Sequence, residues 1–343
     1  MKKLLTLAVL TAMAFTIAPA KSAEKVRVAF FSWPGYGFWF IAKEKNFAPD
    51  LDLDIQLIED PYETYGQMAA GQIDVASSTM EYGPIAVDSD VPIKLVSQTT
   101  LSYGTDKIIV APGIEGAKDL VGKSVAVLEG GLTQIFMGIW LEKNDVKFDE
   151  VTYVNVIMDD AVAAMVSGKV AGGEFWEPFG SKVLETLEGS KTVATSLEPY
   201  WLKTALLADG MYFSDAFLTD KPEIASKAMK AYWDAVAFWH ENPAEANQII
   251  AEGLKFELAD VESVLGTTGE PKEGGLAIFT LEDAAKFMGV TEGTPAFGLT
   301  NGQIKEVWSL TTEWWKKFGL VTGDPAFAEG TDLNPIKSLT KTE

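Results

Sequence analysis

Short apolar segments alternate with amphipathic helical segments along the first part of the chain, and this order constrains the fold more than any other feature. Residues 26–31 read as a buried strand, residues 38–46 as a helix and residues 53–58 as a second strand. The same order resumes after residue 120. Strands separated by helices form βαβ units with a largely parallel sheet. The sequence therefore predicts an α/β protein.

Two segments of the chain resemble each other and indicate two similar lobes. Residues 68–75 and residues 165–172 each end a helix at a glycine, begin a short strand and lead into a polar loop. Those loops are residues 77–82 and residues 174–178. Open α/β sheets bind ligands at the carboxyl ends of their strands. We therefore expect the two loops to face each other across a cleft.

An aromatic loop, residues 32–39, follows the first predicted strand. It places Trp33 and Tyr36 around a Pro-Gly turn, where a core residue would be poorly accommodated. Aromatic side chains on a loop at a strand end are well placed to line a ligand pocket. We expect Trp33 and Tyr36 to face a ligand, and Phe38 and Trp39 to begin a helix and pack in the core.

Beyond residue 208 the pattern changes to longer helices, which we expect to pack on the first lobe rather than to form a new domain. The last of them carries three tryptophans at spacings typical of a buried face. Residues 324–343 are rich in Gly, Pro and Thr and predict an irregular tail. The predicted helices cover residues 222–241, 243–252, 258–265, 281–287 and 302–318.

Composition excludes several classes of function. The chain has no cysteine and one histidine, His240, in a predicted helix end, so cysteine-based zinc sites and Ser-His-Asp or Cys-His catalysis are disfavoured. A formal net charge of −21 argues against nucleic acid and anionic membranes as partners. Arg27, at the start of the first strand, is the only arginine. The chain therefore has no arginine fork available in a pocket loop to bind an anion.

The amino terminus has the features of a secretory signal. A basic start, Met1–Lys3, precedes an apolar stretch to residue 17 and an Ala-x-Ala site ending at Ala20, with Ala23 as a second candidate. We expect residues 1–23 to be cleaved and the protein to reach the periplasm. No cysteine follows the site, so no lipid anchor is expected.

The order of several motifs resembles the substrate-binding proteins of ABC importers. The resemblance is to the nitrate/taurine/sulfonate group, which also includes binders of thiamine-precursor pyrimidines. It covers most of the chain after the signal and is carried by residues 28–36, 41–47, 69–75, 118–127 and 176–178.

The resemblance implies a type II periplasmic binding protein: two Rossmann-like lobes around a cleft, joined by two crossovers. Lobe 1 would comprise residues 24–108 and 208–343, and lobe 2 residues 109–207. It implies a monomer that binds one small molecule and delivers it to an inner-membrane ABC permease with its ATPase. It implies no catalysis, no cofactor and no metal.

The pocket loops implied by the resemblance agree in part with the polar and aromatic loops identified above. A further loop, residues 130–134, opens a helix whose free N–H groups suit an anion or a carbonyl. The predicted ligand-binding residues are Ser32, Trp33, Tyr36, Ser78, Thr79, Glu81, Tyr82, Thr133, Gln134, Glu174, Trp176, Glu177 and Asp209.

These loops carry carboxylates and aromatic rings but no lysine or arginine. This set favours a small nitrogen-containing ligand: an amine, an amino-heterocycle such as a pyrimidine, or a zwitterion. The alternative is taurine, an alkylsulfonate or another anion, held by helix N-termini and hydroxyl groups. For Glu174 or Glu177 taken singly, a structural role is an equal alternative. A ligand-sensing protein and a pyrimidine-forming enzyme are less favoured, the latter because that branch depends on Cys and His.

Overall fold

A computed structural model describes residues 23–341. The predicted signal peptide therefore lies, except for its last residue, outside the described residues. Within them the chain forms two sheets. The first contains β1 (Glu24–Phe30), β2 (Leu51–Leu57), β3 (Val75–Thr79), β4 (Ile93–Ser102), β10 (Ala208–Ser214) and β11 (Leu276–Ile278). The second contains β5 (Lys107–Val110), β6 (Ser124–Val127), β7 (Thr152–Asn155), β8 (Gly172–Phe175) and β9 (Lys191–Thr195).

Helices cover both sheets, and three short 3₁₀ turns lie at residues 34–36, 117–120 and 148–150. The helices are α1 (Phe38–Glu44), α2 (Pro61–Ala69), α3 (Tyr82–Asp88), α4 (Leu132–Lys143), α5 (Met158–Val166), α6 (Phe179–Thr186), α7 (Pro199–Thr204), α8 (Asp215–Asp220), α9 (Pro222–Glu241), α10 (Pro243–Leu254), α11 (Leu258–Leu265), α12 (Leu281–Phe287), α13 (Ile304–Phe318) and α14 (Asn334–Thr340).

Each sheet has a parallel part and an antiparallel part. The strand orders are β2-β1-β3-β10-β4-β11 and β7-β6-β8-β5-β9. The pairs β1–β2, β1–β3, β6–β7 and β6–β8 are parallel, whereas β10 and β5 run antiparallel to their neighbours. The chain thus builds two α/β lobes of matching design, as the alternating pattern predicted.

Two connections join the lobes. Residues 103–106 lead from β4 to β5, and residues 196–207, which include α7, lead back from β9 to β10. The boundary that we placed between residues 108 and 109 falls inside β5, all of which pairs in the second sheet. The return at residue 208 is the first residue of β10.

The helices after residue 208 pack mainly on the first lobe, where α9 and α10 contact α1. One helix contacts both lobes: the Trp315 indole on α13 donates to the carbonyl of Glu81 at 2.6 Å, and the Phe318 ring packs against Tyr153 of the second lobe. The segment predicted to be an irregular tail contains a helix, α14. This helix packs on α9, and its residue Ile336 is fully buried.

Strand ends bring four loops to one place. The carboxyl ends of β1 and β3 in the first lobe and of β6 and β8 in the second all point into the gap between the sheets. Phe38 and Trp39, which follow the first of these loops, are fully buried in α1, as predicted.

Candidate functional site

A cavity lies between the lobes, with about 450 Å³ of empty space including its mouth. It is lined by side chains from the four strand-end loops and from both connections. These are Phe31, Trp33, Thr79, Tyr82, Ser102, Asp106, Leu128, Gly131, Leu132, Thr133, Trp176, Leu207, Asp209 and Leu276. Six of the residues predicted from the sequence are among them: Trp33, Thr79, Tyr82, Thr133, Trp176 and Asp209.

Asp209, at the start of β10, organises the aromatic loop. Its carboxyl group accepts hydrogen bonds from Trp33 Nε1 at 3.0 Å, from the Tyr36 hydroxyl at 2.8 Å and from Thr100 Oγ1 at 2.5 Å. Gly35 leaves room for this arrangement, because a Cβ there would lie 2.5 Å from Trp33 Nε1. Trp33 therefore reaches the cavity in a fixed orientation, while Tyr36, fully buried, holds the carboxylate from behind.

The charge of Asp209 is maintained against a desolvation penalty. Burial raises its pKa from 3.8 to about 6, although the hydrogen bonds from Thr100, Tyr36 and Trp33 act in the opposite direction. A carboxylate has about four acceptor positions, and three are occupied by protein donors. One position remains for a ligand at the cavity surface.

Aromatic rings form two walls of the cavity. The Trp176 ring lies 5.4 Å from the ring of Phe31 across the gap between the lobes, with an interplanar angle of 40°. Trp176 is 8% exposed and its Nε1 has no hydrogen-bond partner, so a donor is available at this wall. Tyr82 closes the other side, and its buried hydroxyl also lacks a partner.

The amino terminus of α4 supplies further donors. Gly131 is its N-cap and provides no side-chain cap, so the amides of Leu132 and Thr133 have no acceptor within the helix, whereas that of Gln134 donates to the Gly131 carbonyl at 3.2 Å. Tyr82 approaches this turn closely: a Cβ on Gly131 would lie 2.6 Å from the Tyr82 hydroxyl oxygen. This end of the cavity suits an electronegative group.

Asp106 brings a second carboxyl group to the cavity, from the connection between β4 and β5. It is 4% exposed, and Thr105 Oγ1 donates to it at 3.2 Å. Burial raises its pKa, partly offset by hydrogen bonds from Ser102, Glu174 and Thr105. The cavity lining therefore contains two carboxyl groups, Asp106 and Asp209, and among the described residues it contains no lysine, arginine or histidine.

Seven predicted residues do not line the cavity. Ser32 donates through its hydroxyl to Glu59 at 2.6 Å, and the Gln134 side chain accepts from the amide of Gly130 at 2.7 Å. Glu177 pairs with Lys107 and accepts from the amide of Ser181 at 3.0 Å, which is the structural role left open for it. The others are Tyr36, described above, and the buried residues Ser78, Glu81 and Glu174.

Each of these placements has a local cause. Side chains alternate along β3, so Ser78 and Thr79 face opposite sides of the sheet, and only Thr79 reaches the cavity. Thr133 lines the cavity, but its hydroxyl is used locally, since it donates to the Leu128 carbonyl at 3.1 Å. Glu81 is fully buried, and desolvation raises its pKa well above the usual value.

Sequence reasoning missed Asp106 and Ser102, along with the apolar members of the lining. One signal was available: residues 103–106 form a short polar turn between two predicted strands, and that turn is the first connection between the lobes. The lone arginine is structural. Arg27 donates from Nε to Asp74 at 2.8 Å at the start of β1.

Comparison with known proteins found a family profile and a relative that each match more than half of the chain. The family profile described as "NMT1/THI5 like" matches residues 33–246. A protein of Brucella abortus whose name describes it as a binding protein is 23% identical over 242 residues, which are 69% of this chain and 74% of that protein.

Solved structures with the same fold cover nearly the whole chain. The alkanesulfonate-binding protein SsuA of Xanthomonas axonopodis pv. citri, bound to MOPS, aligns over 91% of this chain and 99% of its own with a TM-score of 0.71 and 14% identity. The periplasmic nitrate-binding protein NrtA of Synechocystis PCC 6803 covers 90% and 94% with a TM-score of 0.62 and 13% identity. The desulfurization enzyme DSZB has the fold as well, with a TM-score of 0.60 at 14% identity over 91% and 98%. The fold alone therefore does not separate binders from enzymes.

No helix within residues 23–341 combines the length and the apolar character needed to cross a membrane.

Proposed function

Because the chain belongs to the NMT1/THI5-like family, we propose that it is the extracytoplasmic solute-binding component of an ABC importer. It captures a small nitrogen-containing organic molecule in the cavity between its lobes and delivers it to an inner-membrane permease with its ATPase. The ligand is an amine, an amino-heterocycle such as a pyrimidine, or a zwitterion. The protein acts in the periplasm as a monomer after removal of its leader.

The observation that carries this ligand class is the charge of the cavity lining. Asp106 and Asp209 face the cavity, and no cationic side chain is among the described lining residues. The hydrogen bonds that Asp209 and Asp106 accept from the protein are not accompanied by a positive charge, so a positive or N–H-rich group would complete their surroundings. Trp33 and Trp176 add aromatic faces, and a cation over a desolvated ring contributes about 2 kcal/mol.

A taurine-like zwitterion is the second candidate, and the other end of the cavity favours it. The first turn of α4 and the Tyr82 hydroxyl are donors that would hold a sulfonate without any arginine. The amine of the same molecule would face the carboxyl groups. A simple anion would bring a second negative charge next to those carboxyl groups, so it is disfavoured.

Thermal-shift measurements on the mature protein test the ligand class. The panel contains methylguanidinium, 4-aminopyrimidine, butane-1,4-diamine, taurine, ethanesulfonate and nitrate. We expect stabilisation by at least one amine or by taurine, because a ligand that binds only the folded state raises its apparent stability by mass action. Taurine and ethanesulfonate differ by one amine, so they form a matched pair. Tight binding of ethanesulfonate or nitrate with no response to any nitrogenous ligand would refute the proposed ligand class.

Two further measurements separate the proposed role from its rivals. Incubation of the ligand with pure protein should leave it chemically unchanged; turnover would make the protein an enzyme. Co-purification with a permease and its ATPase is expected for an importer component, whereas association with a receptor kinase would indicate a sensor.

A further inference from the structure

Four buried carboxyl groups influence one another electrostatically at the cavity. They belong to Glu81, Asp106, Glu174 and Asp209, and each is at most 6% exposed. Asp106 raises the pKa of the other three, in each case behind desolvation as the leading cause. Four negative charges in one desolvated region would repel strongly. The group therefore retains protons in the ligand-free protein.

Asp106 and Glu174 form the closest pair within this group. In the antiparallel register of β5 and β8, Glu174 lies opposite Ile108 and Phe175 opposite Lys107. Continuing the alternation by one residue puts Asp106 and Glu174 on the same face of the sheet, as diagonal neighbours. Both carboxyl groups are buried, and the nearness of Asp106 adds to desolvation in raising the pKa of Glu174, so the pair favours holding one proton between them.

The pair has one side toward the protein and one toward the cavity. Thr105 donates to Asp106, whereas both oxygens of Glu174 are buried without a well-aligned donor, and only the backbone amide of Lys107 acts to lower the pKa of Glu174. Asp106 lines the cavity next to Trp176, whose Nε1 is also buried without a partner. Glu174 lies behind Asp106, so the shared proton lies within reach of a molecule in the cavity only through Asp106.

We propose that Asp106 is the primary contact for the positive charge of the ligand, and that binding a cation displaces the proton shared by Asp106 and Glu174 into solvent. This inference rests on the proposed function, since it needs a cationic ligand. The balance is simple: a cation and the protonated pair give a bound cation, an ionised pair and one free proton. The net charge of the site is the same before and after binding. Ligands with two or more N–H donors are preferred, because one can face Asp106 and another Asp209.

The direction of the pH dependence follows from the groups that face the pair. Desolvation, together with the neighbouring charge of Asp106, raises the pKa of Glu174 well above its usual value. Lys107 on β5 acts on Asp106 in the opposite direction but pairs with Glu177, and Asp106 in turn raises the pKa values of Asp209 and Glu81. A bound cation lowers the pKa of the pair. Affinity for a cation therefore rises with pH, by up to about tenfold per pH unit for one linked proton.

Calorimetric titration of the mature protein with methylguanidinium and with taurine tests the proposal. Titrations at pH 7 in phosphate and in Tris, whose ionisation enthalpies differ, give the number of protons released for each ligand bound. We expect close to one in the wild type and close to zero in Glu174→Gln, which keeps the shape of the pair but removes its titration. Glu188→Gln, an exposed carboxyl outside the cavity lining, is the control and should release as many protons as the wild type. Asp106→Asn should weaken both ligands by about tenfold or more.

A measurement on the ligand-free wild type keeps the test independent of variant folding. Carbon-13 NMR of glutamate side-chain carboxyls should show a glutamate that titrates well above the usual glutamate range and changes on addition of methylguanidinium. Cation binding without proton release, or without any such resonance, would overturn the proton linkage while leaving the proposed function intact. Binding of ethanesulfonate alone, with no response to methylguanidinium or taurine, would overturn both.

Discussion

Replacing Asp209 with asparagine should stabilise the ligand-free protein at neutral pH relative to acid pH. The carboxyl group of Asp209 is buried, and its pKa rises to about 6 in the folded protein from 3.8. Below pH 3.8 the group is protonated in both the folded and the unfolded chain. Between pH 3.8 and 6 the unfolded chain loses its proton while the folded protein keeps it, so wild-type stability falls as the pH rises.

The size of this effect follows from the pKa difference of about 2, which corresponds to about 3 kcal/mol. Asparagine cannot ionise and escapes this loss. Its oxygen can still accept from Trp33 Nε1 and Thr100, while its N–H group faces Tyr36, whose hydroxyl can turn and accept. The free-energy cost of rearranging these hydrogen bonds does not depend on pH, so it does not change the slope of the difference. The unfolding free energy of Asp209→Asn minus that of the wild type should therefore rise by about 3 kcal/mol between pH 3.5 and pH 7.5.

Urea denaturation of the ligand-free wild type and the variant across this pH range measures the difference directly. The exposed Asp52→Asn on β2 serves as a control, and its profile should run parallel to the wild type. A difference that stays flat, or that falls as the pH rises, would mean that the three donors outweigh desolvation and would refute the reasoning. At pH 7.5 the variant should bind methylguanidinium at least about tenfold more weakly, because the cavity loses a charge.

Three further changes separate the walls of the cavity from its support. Gly131→Ala should lower ligand affinity about tenfold, because its Cβ would overlap the Tyr82 hydroxyl across the gap, whereas Gly66→Ala, with open space around its Cβ, should leave affinity unchanged by calorimetry. Trp176→Ala should weaken binding about tenfold or more through loss of an aromatic wall, and unchanged affinity would remove Trp176 from the site. Glu177→Gln should lower the free energy of unfolding by about 1 kcal/mol and leave affinity within about twofold; a large affinity loss with unchanged stability would place Glu177 in contact with ligand.

Local sequence pattern predicted the parts of the fold that depend on nearest neighbours. The helix at residues 222–241 was predicted at its observed bounds, because proline near its start and an apolar stripe along it are local signals. The two α/β lobes followed from the alternation of strands and helices. Trp33 and Trp176 were placed correctly at the cavity, since a loop at the end of a parallel strand opens onto the ligand edge of a sheet.

The sequence did not determine which carboxyl groups meet the cavity. Asp106 and Glu177 lie at similar strand ends, yet Asp106 lines the cavity and Glu177 pairs with Lys107. That choice depends on the register of β5 against β8 and on the second lobe lying opposite. Trp33 and Tyr36 also differ in a way that the sequence does not show. Both donate to Asp209, which is more than 170 positions away along the chain, but only Trp33 lines the cavity.

The sequence by itself therefore determined the fold class, the order of the two lobes, and a ligand edge rich in acidic and aromatic side chains without arginine. The tertiary structure decided which of those side chains touch the cavity, which support others, and which carboxyl groups lie next to one another in the interior. The physical reason is the separation along the chain over which each kind of interaction acts. Helix and strand formation depends on residues a few positions apart, whereas desolvation and charge coupling depend on distances that only the packed lobes define.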